Sequence, residues 1–312
     1  MNIYTKLEKP IISLAPMEDV TDTVFRQVVS SLGKPDLFFT EFVNVEGLNS
    51  KGRDMVIHRL RYTEKEKPII AQLWGIEAEN FFKSAQLVRE MGFDGVDINM
   101  GCSVKNVVKS SAGSGLINQD RKLVEGIIEA TKQGAKGLPV SAKTRLGFNS
   151  LDMGWIEFLL KQNLSLVTIN MRMARGEKSL RADWSYMRDI LKLRDSISPS
   201  TLIFGNGDIK NLEEAKDRVR EYGVDGVMIG RASISNPWVF SSRLDISKEE
   251  KIEVLKYHLT LFEESWGNEK DFNSLKKFFK GYINNYKGAS KLRAKLMETR
   301  SAKEVREILS VV

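Results

Sequence analysis

Leu202-Ile203-Phe204-Gly205-Asn206-Gly207-Asp208 and Gly226-Val227-Met228-Ile229-Gly230-Arg231-Ala232 follow one pattern. A short apolar run meets glycine and polar residues, and a charged stretch with helical periodicity, 212–222, lies between the two. A helix-length connection cannot be a hairpin, so the two runs are expected to pair in parallel through a crossover.

Working outward, the same unit recurs along the chain. Further strands are expected at 11–15, 37–40, 69–73, 95–99, 140–145 and 166–170. Amphipathic stretches follow most of them: one from an N-cap at Thr21 to 29, then 78–91, 121–133, 153–161 and 184–193. Eight such units in order predict an α/β fold, a TIM-type (β/α)₈ barrel, with an open doubly wound sheet as the alternative. Beyond Ser242 only helical periodicity remains. We therefore expect a barrel domain over 1–242 and a small all-α domain over 243–312.

The 312 residues are 42% hydrophobic and 29% charged, enough apolar content for a packed core. Net charge is +7, and residues 270–312 hold eleven Lys/Arg against four Asp/Glu. Segregated positive charge suits nucleic acid, although a solvated helix face has the same composition. Cys102 is the only cysteine, and the two histidines, His58 and His258, lie far apart. Disulfides within the chain are therefore excluded, and a metal site is not expected. The first residues lack the apolar core of a signal peptide, and no run of about 18 apolar residues occurs. A cytoplasmic monomer with no membrane association is the expectation.

In such a barrel, chemistry sits at the C-terminal ends of the strands, and phosphate often binds after strands seven and eight. Asn206-Gly207-Asp208 and Gly230-Arg231 occupy those two loops. Glycine lets backbone N–H groups approach an anion, and Arg231 adds a cation, although one such turn alone is ordinary. Lys143 on strand five is costly to bury unless it meets an anion. Gln72 on strand three can both donate and accept, which suits a flavin or a base, though a lone strand glutamine is commonly structural. Cys102 follows strand four and opens a small-residue-rich segment to Gly115 that looks like a mobile lid. An acid or nucleophile role is open to it, beside that of a small buried hydrophobe.

These residues resemble the tRNA-dihydrouridine synthases. The resemblance rests on Ala15-Pro16-Met17, Thr40-Glu41-Phe42, Ala71-Gln72-Leu73, Asn99-Met100-Gly101-Cys102, Lys143-Thr144-Arg145-Leu146-Gly147, Asn206-Gly207-Asp208 and Gly230-Arg231, in the family's order along the whole barrel. It implies FMN as cofactor and NADPH as electron donor, with hydride passing to C6 of a uracil in tRNA and Cys102 protonating C5. The implied cofactor residues are Pro16, Met17, Glu18, Gln72, Lys143, Asn170, Arg172, Asn206, Gly207, Asp208, Gly230 and Arg231. The implied RNA-facing residues are Asn99, Lys105 and Arg145 at the barrel and Lys276, Lys277, Lys280, Lys291 and Arg293 in the tail. Two positions depart from the family pattern: Asn170 stands where histidine is usual, and Ser103 where proline follows the cysteine. The competing readings are an rRNA-directed enzyme, a small-molecule FMN barrel such as a dihydroorotate dehydrogenase, a phosphosugar isomerase barrel, and an RNA-binding barrel without activity.

Overall fold

The computed structural model describes residues 2–175 and 181–312. Eight strands form one sheet: β1 (Ile11–Leu14), β2 (Phe38–Asn44), β3 (Ile69–Trp74), β4 (Gly95–Asn99), β5 (Val140–Arg145), β6 (Leu166–Asn170), β7 (Leu202–Asn206) and β8 (Gly226–Ile229). Each pairs in parallel with its sequence neighbour from β2 to β8, and β8 pairs with β1. The remaining seam closes at a parallel bridge between Ser13 and Leu37. There the Asp36 N–H donates to the Ile12 carbonyl (2.9 Å) and the Leu14 N–H to the Leu37 carbonyl (3.2 Å). Because β1 bonds on both sides, the open-sheet alternative is discarded in favour of the barrel.

Side chains that alternate inward fill the barrel, among them Ile11, Phe39, Ile70, Leu166, Phe204 and Met228. Tyr4, from the segment before β1, joins that inner core and donates to Ser141 Oγ (3.1 Å). A second apolar layer lies between the strands and the helices around them. It continues without a break into Leu255, Leu259 and Phe262 of the helix Lys248–Trp266 and into Phe278, Leu296 and Val305 beyond it. Phe278 stacks on Phe25 of the helix Thr23–Leu32 at 4.7 Å between ring centroids. Each such fully buried side chain contributes about 1.5–3 kcal/mol, so the C-terminal helices are held by the same kind of packing as the barrel's own.

Three expectations need correction. The helix after β1 is capped by Asp22, not Thr21: the Asp22 carboxylate accepts from the Phe25 N–H at 3.0 Å. The β2–β3 crossover has only the short helix Val45–Leu48 and three 3-10 turns. Asn49, Ser50 and Gly52 interrupt helix there, because glycine loses most entropy on ordering and Asn and Ser compete for backbone hydrogen bonds. The segment after Cys102 is not an unstructured lid. It forms the helix Lys105–Lys109 and the 3-10 turn Gly113–Asn118, and Ala112 through Ile117 are buried. Small residues that look like a loop in sequence are here small because they are packed.

Candidate active site

A chain of hydrogen bonds climbs from the barrel floor to its rim and settles the orientation of each amide on the way. The Ser141 hydroxyl donates to Asp97 Oδ1 (2.6 Å), and Gln72 Nε2 to Asp97 Oδ2 (2.7 Å). With its nitrogen committed, Gln72 offers Oε1, which accepts from Asn99 Nδ2 (2.9 Å). Asn99 Oδ1 is then left to accept the Gly101 and Cys102 N–H groups (3.1 and 2.9 Å). Burial pushes the Asp97 carboxyl up to about 6 against the Ser141 and Gln72 hydrogen bonds, so near neutrality it is the ionised acceptor this chain requires. Gln72 is fully buried and engaged at both ends of its amide, and Asn99 holds the turn that carries Cys102.

Cys102 is thus fixed from several directions. Arg145 Nε donates to the Gly101 carbonyl (2.6 Å), its Nη1 to the Met173 carbonyl (3.1 Å) and its Nη2 to Ser103 Oγ at 3.5 Å. The Ser114 N–H donates to the Cys102 carbonyl (2.9 Å), folding the buried turn back under it. Gly113 there has φ +57°, and a Cβ on it would fall 2.8 Å from the Cys102 carbonyl oxygen. Burial pushes the thiol above the ordinary cysteine range, although Arg145 and Lys143 pull the other way. The resting group is therefore a thiol rather than a thiolate. Val104 and Lys105 beside it are exposed.

Lys143 stands across from Asn99 in the β4–β5 register. It keeps some contact with solvent, yet the protein around it and the neighbouring Arg145 push its ammonium down, to about 8. Its hydrogen bond is to Asn206 Oδ1 (3.3 Å), which also accepts from Asn170 Nδ2 (3.1 Å), while Asn206 Nδ2 donates to the Met228 carbonyl (2.7 Å). Among the described residues, Asn170 Oδ1 is buried without a hydrogen-bond partner. An ammonium held by a neutral amide, beside an orphan acceptor, leaves room for a polar ligand that brings both an anionic or carbonyl oxygen and a donor.

The loops after β7 and β8 meet at Asp208. Its carboxylate takes the Arg172 guanidinium, Arg231 (3.0 Å) and the Ala182 N–H (2.8 Å). Burial pushes the Asp208 carboxyl up, but the Ala182 N–H and the two arginines outweigh it and leave it below the usual carboxylate range. Asp208 therefore organises cations rather than facing an anion itself. Gly207 has φ +135°, and a Cβ on it would fall 2.6 Å from Ala182. Gly230 faces Ala15 and Met17.

The β1 loop completes the rim. Pro16 is buried, the Met17 N–H donates to Thr21 Oγ1 (2.9 Å), and Glu18 takes Arg59 at 2.6 and 2.9 Å. The Asp19 N–H donates to Glu41 Oε1 (2.6 Å). The C-terminal helices reach this loop: Trp266 Nε1 and Lys270 Nζ donate to Asp22 Oδ2 (3.1 and 2.8 Å), and Lys277 Nζ donates to the Asp19 carbonyl (2.6 Å). Lys276 and Arg293 also spend hydrogen bonds inside the fold, on the Met297 and Ile283 carbonyls (2.9 and 2.6 Å). Lys280 and Lys291 are exposed. Glu41, Arg59, Asp97 and Lys270 carry no role from the sequence alone. Glu41 had a signal, since it lies in the Thr40-Glu41-Phe42 run at a strand end; the others are ordinary charges until the fold juxtaposes them.

The family model for dihydrouridine synthase matches residues 13–311. The chain belongs to the dihydrouridine synthase family. It is 44% identical to the probable tRNA-dihydrouridine synthase 2 of Bacillus subtilis, over 99% of this chain and 95% of that protein. It is 42% identical to a probable tRNA-dihydrouridine synthase of Staphylococcus aureus strain COL, over 99% of this chain and 94% of that one. In fold it is similar to morphinone reductase, with a TM-score of 0.54 at 13% identity over 73% of this chain and 84% of that one. An old yellow enzyme homologue from Zymomonas mobilis gives 0.51 at 13% identity, over 73% of this chain and 85% of that one. The family's reaction is the reduction of uridine to dihydrouridine, and its cofactor is a flavin. Among the described residues no helix is long and apolar enough to cross a membrane.

Proposed function

We propose that this dihydrouridine synthase family member reduces the C5=C6 bond of a uridine in tRNA with FMN as cofactor and NADPH as reductant. The observation that carries this reading is the arrangement around Cys102: one thiol, kept protonated by burial, just past the end of β4, with Lys143 on the adjoining β5 and, on β6, Asn170 Oδ1, which has no partner among the described residues. FMN, when bound, supplies the hydride that adds to C6.

The chain's own residues do the rest. Lys143 and Asn170 would hold the polar edge of the ring system, with Pro16, Met17 and Glu18 along the β1 side and Gln72 behind Asn99. Gly207, Gly230, Arg172 and Arg231 would hold the phosphate, with Asp208 and Asn206 keeping the cations and loops in place. Cys102 gives its proton to C5, a contribution of about 10²–10⁴-fold for a well-placed general acid. The Arg145 guanidinium that fixes the Cys102 turn also offsets the thiolate left behind. The uridine must leave its stack to reach this depth. Residues 243–312 would form the RNA-binding unit, with Lys280 and Lys291 facing the RNA and Lys105 contributing at the rim. Such a substrate belongs to the cytoplasm. The test is a dihydrouridine map of RNA from cells with and without this protein. Loss at discrete tRNA uridines is expected; unchanged tRNA with a lost rRNA site would redirect the proposal to ribosomal RNA.

A further inference from the structure

Asp97 is fully buried inside the barrel, one layer below the rim. Side chains alternate along a strand, so β4 turns Asp97 and Asn99 to the same face, with Asn99 nearer the mouth. The matching positions across β5 are Ser141 and Lys143. Both hydrogen-bond partners of the carboxylate are neutral, the Ser141 hydroxyl and the Gln72 amide. An ionised group buried on neutral partners is costly, and burial accordingly raises the Asp97 carboxyl. For packing alone, an apolar residue of the same size would cost less.

A carboxylate has no donor, so it forces one polarity on the amides above it. Gln72 must turn Nε2 down and Oε1 up, and Asn99 must then turn Nδ2 toward Gln72. Only in that setting is Asn99 Oδ1 left for the Gly101 and Cys102 N–H groups. Flipping the two amides together would set the Asn99 NH₂ against those backbone donors. The same charge acts on Lys143. Arg145 on β5 disfavours the ammonium, and Asp97 and Cys102 on the β4 side favour it. From β7 and β6 come the amides of Asn206 and Asn170, which are neutral.

We propose that Asp97 is a positioning residue of the reaction, setting the polarity of the Gln72–Asn99 chain that holds the Cys102 turn and placing a negative charge beneath Lys143. The reaction it serves is the uridine reduction proposed above, and the inference rests on that reading. The chain of hydrogen bonds stands without it.

The test compares the parent with Asp97→Asn and Asp97→Leu, each with flavin absorbance retained as the check of folding. Two quantities are read: hydrogen exchange of the Gly101 and Cys102 amides, and single-turnover formation of dihydrouridine across neutral and alkaline pH. In Asp97→Asn, Oδ1 can still accept from Gln72 while Nδ2 donates to Ser141, whose hydroxyl then turns to the Val96 carbonyl at 3.5 Å. Exchange at the two amides should stay near the parent's, and turnover at neutral pH within about tenfold of it. The alkaline limb should move to lower pH, because Lys143 loses a negative charge that favours its ammonium. Asp97→Leu leaves Gln72 without an anchor. Exchange at both amides should rise about tenfold, one hydrogen bond's worth. Turnover should fall about 10²-fold, the cost of a small misplacement of a reacting group. Exchange and turnover in Asp97→Leu that match the parent's would overturn the proposal. So would a folded Asp97→Asn as impaired as Asp97→Leu, because polarity would then not be what the carboxylate supplies. If Asp97→Leu does not fold, Asp97→Asn decides alone, and an unmoved alkaline limb overturns the proposal. A parent that forms no dihydrouridine would overturn the uridine reading, and amide exchange would still judge the chain.

Discussion

Cys102 is the only thiol in the chain, so its titration can be followed without interference. Burial keeps it protonated, with Arg145 and Lys143 opposing. A general acid has to hold its proton at working pH, and a low thiol pKa would be the wrong property here. We predict that alkylation of Cys102 by iodoacetamide is slow at pH 7 and rises to half its limit only above the unperturbed thiol value. Fast alkylation at pH 7 would mark a thiolate and a nucleophile. Other residues at this scale changed meaning once placed. Gln72 is a support beneath Asn99, and Asp208 is a cation organiser, because a side chain's hydrogen-bonding capacity is known from its type but its partners are not.

At the scale of the element, β2 shows how a strand irregularity makes a site. Its register to β3 shifts between Phe39 and Phe42, so Thr40 and Glu41 lie in the irregular stretch. Glu41 is 2% exposed and caps the β1 loop through the Asp19 N–H. Burial and the nearby Asp22 push its carboxyl up to about 7. A carboxyl raised in the fold binds more protons folded than unfolded, so its stabilising contribution is complete below about 4.5 and is lost as pH rises through about 7. Glu41→Gln should remove that loss, since the amide oxygen can still accept from Asp19. The parent should lose up to about 3 kcal/mol between pH 4.5 and 7 that the variant keeps, measured by denaturant unfolding. Parallel pH dependence in parent and variant would contradict this. Strands such as β1, β7 and β8 are legible in sequence because buried parallel strands are apolar runs with sharp ends. The register irregularity in β2 and the packed turn at Gly113 are not, because each depends on a neighbour distant in sequence.

At the scale of the whole molecule, positive charge in the tail divides into two kinds. Lys270 and Lys277 brace the β1 loop, and Lys276 and Arg293 brace the tail itself, while Lys280, Lys291 and Lys295 are exposed. Composition counts these charges alike, because it holds no information on which side chains turn back into the fold. Neutralising Lys291 and Lys295 together should flatten the salt dependence of RNA binding by up to about 1.4–1.8 in slope, without loss of thermal stability. An unchanged slope would make this face merely solvated. Lys270→Met should instead lower the melting temperature, because Asp22 would lose its ammonium partner in a buried setting.

The central claim is that Cys102 delivers a proton to a uridine held in a flavin-bearing barrel. The direct measurement is a single turnover: protein reduced with NADPH, mixed with unmodified tRNA, and dihydrouridine counted by mass over time, for the parent and for Cys102→Ala. The parent should form dihydrouridine, and the variant should retain its flavin and its reduction by NADPH but form the product about 10²-fold or more slowly. Equal rates in parent and variant, or a parent that binds no flavin, would contradict the account.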